Sequence, residues 1–146
     1  MSENVKIVTL GKIHSAKGEI ERAISHFEAA LRIVSSSNWY HDQFWIHFSL
    51  ALLFFRQGRF DDSHACVEDA KSQAFNSPYL VARAMQLKAA IWCEQHRLRE
   101  ARSEALRAAD ALEKLGAMTQ LEDCRGLLHH IEKVMEKLAT RTPGTE

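Results

Sequence analysis

The sequence predicts an all-α protein built from paired helices, and three observations indicate this. Residues 44–55 read FWIHFSLALLFF, an almost unbroken apolar run that no choice of helical face divides into a wet and a dry side. After this run, Asp61, His64 and Glu68 recur at helical rather than alternating spacing. The whole chain contains two prolines, which leaves long segments able to form helix. The apolar run is therefore predicted to be a central helix that is buried on several sides.

The charge balance argues against two classes of partner. The 146 residues include 19 Lys and Arg against 19 Asp and Glu, so the formal net charge is zero. A protein with no net field has no general attraction to nucleic acid or to an anionic membrane. The apolar run is also shorter than the roughly 20 residues that a bilayer-spanning helix needs. We therefore expect no nucleic-acid partner and no membrane partner.

Cysteine usage indicates the compartment. Cys66, Cys93 and Cys124 lie far apart and never form a CxxC pair. This spacing fits reduced thiols rather than a disulfide framework. The first residues, MSENVKIVTLGK, lack the long apolar core of a secretion signal. We expect a cytoplasmic protein, with a nuclear location as the alternative.

An internal repeat begins in the N-terminal third. Residues 10–31 read LGKIHSAKGEIERAISHFEAAL, in which small residues and one aromatic residue recur at fixed spacing. Gly11 would allow a paired helix to approach closely, Gly18 would permit a turn, and Phe27 would fill the space between two helices. This order of residues closely resembles a tetratricopeptide repeat (TPR), in which W-x2-L-G-x2-Y is followed by A-x3-F and then P. Ile7 and Ser35 depart from the pattern, at its Trp and Pro positions.

Two further copies follow. The second aligns when Gly58 is matched with Gly18, and the two are forty residues apart. Ser63 then takes the position of a small alanine. The third copy is weaker, because His96 stands where the earlier copies have glycine. Its start is predicted by Ser77 and a following proline, and its end by Gly116.

The resemblance implies a right-handed α-solenoid of three helix pairs followed by a capping helix. The repeats are predicted at about residues 4–37, 44–77 and 78–115, with the capping helix at about 119–139. Residues 119–122, TQLE, resemble a capping box that would open this last helix. Residues 1–139 would form a single domain, and residues 140–146 a frayed tail.

In such a solenoid the first helix of each pair lines the concave side. The register places a set of apolar residues there, flanked by a polar rim, and an exposed apolar patch marks an interaction site. The predicted partner-binding residues are Lys12, Trp45, Phe48, Leu52, Phe55, Arg56, Arg83 and Gln86. The alternative is that a tight superhelix, or a helix lengthened at Trp39 and Tyr40, covers the aromatic residues.

Motifs that carry chemistry are not found in the sequence. There is no glycine-rich phosphate loop, no G-x-S-x-G and no H-E-x-x-H. His64 and Cys66 are two positions apart on a predicted helix and therefore point in different directions. The sequence accordingly predicts no catalytic residue, no metal site and no cofactor, and we do not expect an enzyme.

The predicted function is that of a scaffold or adaptor, which binds a protein or peptide partner on its concave apolar face. Two alternatives stay open. The chain could be a ligand-sensing or regulatory domain of a larger signalling or transcription-control protein. It could also be a self-association module, in which the same apolar side pairs with a second copy to form a homodimer.

Overall fold

The computed structural model describes residues 19–34, 40–74 and 77–141. Within these ranges the chain forms α-helices, and no strand is present among the described residues. The all-α prediction is therefore confirmed for this part of the chain. The first helix of the first predicted pair, with Lys12, Gly11 and Gly18, lies outside the described residues.

The described helices fall into two compact units, one ending at Leu80 and the other beginning at Val81. The helices are α1 (Ile20–Val34), α2 (Tyr40–Arg56), α3 (Phe60–Ser72), α4 (Pro78–Glu94), α5 (Leu98–Leu115) and α6 (Met118–Arg141). In the first unit, α2 packs against both α1 and α3, and in the second unit α5 packs against α6. The expectation of a single domain stays a prediction.

Helix α1 is amphipathic, and its apolar side forms part of the core. Ala23, Phe27, Ala30 and Val34 follow one another at intervals of three or four, so they share one face, and all four are buried. They cluster with apolar residues of α2, including Leu50. Ala23 and Phe27 stand at the alanine and aromatic positions of the first repeat copy, and their burial is consistent with packing between two helices.

Helix α2 is the central helix of the first unit. Eight of its residues are buried, and they occupy more than one side of the helix. The Gln43 amide donates a hydrogen bond of 3.1 Å to the carbonyl oxygen of Val34, at the end of α1. This bond satisfies a carbonyl that the helix itself leaves without a partner. The apolar run is thus buried on several sides, as predicted from its composition.

Helix α3 approaches α2 through small residues. Ser63 is fully buried, and its hydroxyl donates a hydrogen bond of 2.6 Å to the carbonyl oxygen of Ala51. Val67 and Ala70, one turn and two turns later, are also fully buried. Ser63 therefore occupies a close-packed position, as its alignment with a small alanine predicts.

The turns after α2 and after α4 have the same geometry. Gly58 and His96 stand 38 positions apart, and both have positive φ angles, 73° and 61°. In each turn the next residue donates a backbone hydrogen bond across the turn: Arg59 to Phe54 at 2.9 Å, and Arg97 to Trp92 at 2.8 Å. The structure therefore repeats one helix–turn–helix conformation at the two places where the sequence predicts repeat copies.

Side chains around these turns repeat as well. The Arg59 guanidinium lies 4.5 Å from the centre of the Phe54 ring and 2.9 Å from the carboxylate of Asp62. At the equivalent positions, Arg97 lies 5.0 Å from the Trp92 ring centre and 3.1 Å from the carboxylate of Glu100. A cation over an aromatic face is attractive, so each arginine fastens its turn to the preceding helix.

Substitutions at the two turns test this repetition. A Cβ at Gly58 would meet no atom within 4 Å, so Gly58→Ala should cost only the left-handed backbone, about 1–2 kcal/mol. His96→Gly should remove a similar strain from the left-handed backbone. Because glycine has more conformational freedom in the unfolded chain, the substitution also costs about 0.5–1 kcal/mol. The free energy of unfolding should therefore stay equal or rise slightly. Urea unfolding of both variants measures the difference. Equal destabilisation by both substitutions would contradict the shared conformation.

The ends of α4, α5 and α6 test the predicted caps. The Ser77 hydroxyl accepts a hydrogen bond of 3.2 Å from the backbone N–H of Leu80, and Gly116 ends α5 with a φ of 71°. Both caps are confirmed. Helix α6 instead begins at Met118, so Thr119 lies inside its first turn and not at the N-cap position that the TQLE pattern predicted.

Helix α6 packs along α5. Leu121, Cys124 and Ile131 are buried, and the Cys124 thiol donates to the Ala105 carbonyl oxygen at 3.3 Å. The helix continues to Arg141, so two residues that the sequence assigned to the tail are helical. Residues 142–146 lie outside the described part of the chain.

Candidate functional site

Five of the predicted binding residues lie along one side of α2. Successive members are three, four, three and one positions apart, which keeps all five on one face of the helix. Leu52 is 41% exposed, Trp45 and Phe55 are half-buried, and Arg56 is exposed. We call this set, with Phe48, the α2 surface: Trp45, Phe48, Leu52, Phe55 and Arg56.

Phe48 is the buried base of the α2 surface, although the sequence predicted it to be available to a partner. The residue is only 6% exposed. Its ring stacks on Phe44 at a centroid distance of 5.7 Å and meets the edge of Trp45 at 5.4 Å. The sequence left open whether the apolar side of α2 is exposed or covered. In the structure Phe48 is buried and Leu52 is exposed. Phe48 therefore supports Trp45 and leaves Leu52 as the apolar side chain most available to a partner.

Trp45 also contacts other residues of its own helix. Its indole N–H donates a hydrogen bond of 3.2 Å to Nε2 of His41, and its ring meets Phe44 edge-on at 5.0 Å. Tryptophan carries a large apolar area with a polar group at one end, which suits a binding surface once the ring is fixed. His41 was missed by the sequence analysis, although its spacing of four from Trp45 could have identified it.

The C-terminal end of the α2 surface is tied to the neighbouring helices. Phe55 contacts Phe60, at the start of α3, with ring centroids 5.6 Å apart. Next to Arg56, the Gln57 amide donates a hydrogen bond to the carboxylate of Glu21, on α1. These contacts hold the end of α2 against α1 and α3, so the surface sits on packed helices.

The other predicted binding residues lie elsewhere in the sequence. Arg83 and Gln86 are half-buried on α4, which lies mainly in the second unit. Lys12 lies outside the described residues. The polar rim that these three residues were predicted to form stays a prediction.

Burial shifts the pKa of one histidine on α2. His47 is half-buried, and desolvation of its charged form lowers the pKa from the ordinary 6.5, with partial opposition from the negative charge of Asp69. The folded protein therefore releases the His47 proton at a lower pH than the unfolded chain does. Protonation of this side chain disfavours the folded state.

The His47 shift predicts a pH dependence of stability. Below pH 6.5 the unfolded chain binds a proton at this position more readily than the folded protein, so the free energy of unfolding should fall as the pH decreases from 6.5. His47→Gln should make this decrease shallower and leave stability above pH 7 nearly unchanged. Urea unfolding at a series of pH values measures both slopes. Parallel slopes in wild type and variant would show that His47 does not contribute.

The cysteine thiols are poorly suited to nucleophilic chemistry. Burial, and to a smaller extent the negative charge of Asp69, together raise the pKa of Cys66 to about 11. Burial likewise raises the pKa of Cys93 and of Cys124. Because the thiolate is the reactive form, all three side chains are protonated and weakly reactive at neutral pH.

Metal sites and membrane-spanning helices are absent among the described residues. Across residues 19–34, 40–74 and 77–141, no group of three or more His, Cys, Asp or Glu side chains is placed to hold a metal ion. None of the described helices combines the length and the apolar character needed to cross a membrane.

In comparisons with known proteins, the chain matches no family model and no curated protein.

Proposed function

We propose that this chain is a tetratricopeptide-like helical-repeat protein that acts as a scaffold or adaptor. Support comes from the repeated helix–turn–helix conformation at Gly58 and His96, and from the buried small residues that precede and follow each turn. In the proposed architecture, the helix pairs stack into a right-handed α-solenoid and α6 closes the stack. Helical-repeat proteins of this kind present extended surfaces to other proteins.

The proposed binding surface is the α2 surface, and the observation that carries the proposal is the exposure of Leu52. This leucine is 41% exposed on a helix whose other leucines, Leu50 and Leu53, are buried. The half-buried ring of Trp45 lies about two turns before Leu52 on the same side, and the exposed Arg56 lies about one turn after it. A peptide or protein partner would cover Leu52 and Trp45, while Arg56 would orient it.

The proposal includes no catalytic step, no cofactor and no nucleic-acid or membrane partner. All three cysteines are thiols outside disulfides, which fits a reducing compartment such as the cytoplasm or nucleus. A regulatory domain of a larger protein, binding its partner through the same surface, is the second candidate. It shares the observation at Leu52 and differs in what the partner does.

A pull-down experiment with matched variants tests the proposed surface. Leu52→Glu places a charge in the surface. Leu106→Glu is the control, because Leu106 is 44% exposed on α5, outside the α2 surface. Tagged wild type and both variants are used to capture proteins from cells that express this chain, and captured proteins are quantified by mass spectrometry. We expect specific partners to be lost at least tenfold with Leu52→Glu and retained with Leu106→Glu.

Two results would contradict the proposal. One is retention of every wild-type partner by Leu52→Glu, and the other is an equal loss with both variants. Light scattering across a concentration series, run on the same three proteins, identifies the self-association alternative. A wild-type dimer that Leu52→Glu converts to a folded monomer would show that the α2 surface binds a second copy of the chain.

A further inference from the structure

A cleft of about 470 Å³ lies between the beginning of α5 and the end of α6, within the second unit. It is lined by residues 96–100, from the turn before α5 and the first turn of that helix, and by Met135 and Leu138 of α6. Pockets that bind small molecules commonly occupy about 300–1,000 Å³, so this volume suits a small ligand. We call this feature the α5–α6 cleft.

The packing of α6 on α5 explains why a cleft forms there. Arg102 of α5 bonds to Glu132 of α6 at 3.2 Å, and Glu113 of α5 lies 3.9 Å from Arg125 of α6. The two helices are therefore antiparallel. Four residues of α5 precede Arg102, whereas nine residues of α6 follow Glu132. The last turn of α6 consequently extends past the beginning of α5, and the cleft lies at this step.

Three apolar side chains contribute to the lining of the α5–α6 cleft. Leu98 is buried, Met135 is half-buried and Leu138 is 42% exposed. Met135 and Leu138 are three positions apart, so they are neighbours on one side of α6. A hydrocarbon chain in the cleft would remove the exposed area of these two side chains from water, which favours binding.

Positive charge predominates beside this apolar lining. The cleft contains two arginines, Arg97 and Arg99, and one carboxylate, Glu100, so the three together carry one excess positive charge. The Arg97 guanidinium is paired, since it lies 3.1 Å from the Glu100 carboxylate and 5.0 Å from the centre of the Trp92 ring. The excess charge is therefore assigned to Arg99, which is exposed at the first turn of α5.

We propose that the α5–α6 cleft binds a small organic acid, whose hydrocarbon chain covers Met135 and Leu138 and whose carboxylate pairs with Arg99. An arginine matches the planar carboxylate with two parallel hydrogen bonds. One excess positive charge also balances a single carboxylate, whereas a phosphate monoester carries nearly two negative charges at neutral pH. The cleft shares no residue with the α2 surface, so this proposal and the scaffold function stand or fall independently.

An NMR titration of the intact chain tests the proposal with three probes: octanoate, octanol and acetate. The methyl signal of Met135 reports binding inside the cleft. We expect octanoate to shift this signal with a dissociation constant at least tenfold lower than that of either other probe. Octanol lacks the carboxylate that would pair with Arg99, and acetate lacks the chain that would cover Met135 and Leu138.

Charge reversal tests the role of Arg99. Arg99→Glu should weaken octanoate binding at least tenfold and leave octanol binding nearly unchanged, because only the carboxylate contact is lost. Lys133→Glu is the control, because Lys133 is an exposed cation of α6 that does not line the cleft. This variant changes the net charge equally and should bind octanoate as wild type does. Circular dichroism checks that both variants stay helical.

A second pair of variants tests the apolar lining. Leu138→Gln should weaken the binding of octanoate and of octanol together, because both use the hydrocarbon contact. Leu106→Gln is its control, since Leu106 has a similar exposure of 44% and lies on α5 outside the cleft. We expect this control to bind both probes as wild type does.

Several results would overturn this proposal. They are equal affinities for octanoate and octanol, a Met135 signal that octanoate does not shift, and an equal loss of octanoate binding with Arg99→Glu and Lys133→Glu. A Met135 signal that depends on protein concentration and not on octanoate would show that a second copy of the chain occupies the cleft. That result would also overturn the proposal.

Discussion

Phe48→Glu is expected to destabilise the first unit by about 4 kcal/mol or more. Removal of a buried aromatic ring costs about 3–5 kcal/mol through lost burial and the cavity that remains. Phe48 is 6% exposed and packs against both Phe44 and Trp45, so a carboxylate there would also be taken out of water. Urea unfolding followed by circular dichroism measures the effect.

The matched variant for this prediction is Leu52→Glu, four positions later on the same helix. Leu52 is 41% exposed, so its replacement by a charge should change the free energy of unfolding by less than about 1 kcal/mol. Equal effects of the two substitutions would show that the division of the α2 surface into a buried base and an exposed part is wrong. This pair also fixes which variant suits binding experiments, because only a folded protein gives an interpretable loss of partner.

Leu112→Ala is expected to destabilise the second unit by about 2–5 kcal/mol. Leu112 is fully buried on α5, in line with Ala101, Ala105 and Ala108 on the face that the helix turns inward. Shortening its side chain would leave a cavity among residues that are already small and cannot easily fill it. Thermal and urea unfolding of the intact chain provide the measurement.

Leu115→Ala is the control for the second unit. Leu115 is the last residue of α5 and is 44% exposed, so its truncation should cost less than about 1 kcal/mol. A loss of stability as large as that of Leu112→Ala would contradict the assignment of the buried face of α5. A small effect from both substitutions would have the same meaning.

The helices themselves could be predicted well from the sequence. The roles predicted for Ser77 and Gly116 at helix ends are confirmed. These features depend on local chemistry: a serine hydroxyl accepts a bond from the first helical turn, and glycine adopts positive φ without strain. The buried positions of α1 also follow from a periodicity that is visible in the sequence.

The details of the candidate site could be predicted only in part. Periodicity places Phe48 and Leu52 on one side of α2, but their difference in burial depends on where Phe44 and Trp45 direct their rings. The contact from His41 to Trp45 likewise depends on a rotamer. Such features arise from tertiary packing and not from spacing in the sequence.

The measurement that tests the proposed function most directly is photo-cross-linking from within the α2 surface. A photoreactive amino acid replaces Leu52 in one protein and Leu106 in a control, and both are expressed in cells that normally contain this chain. We predict covalent adducts with a specific partner from position 52 and not from position 106. If position 52 forms no adduct, or only those that position 106 also forms, the α2 surface is not where this protein binds a partner.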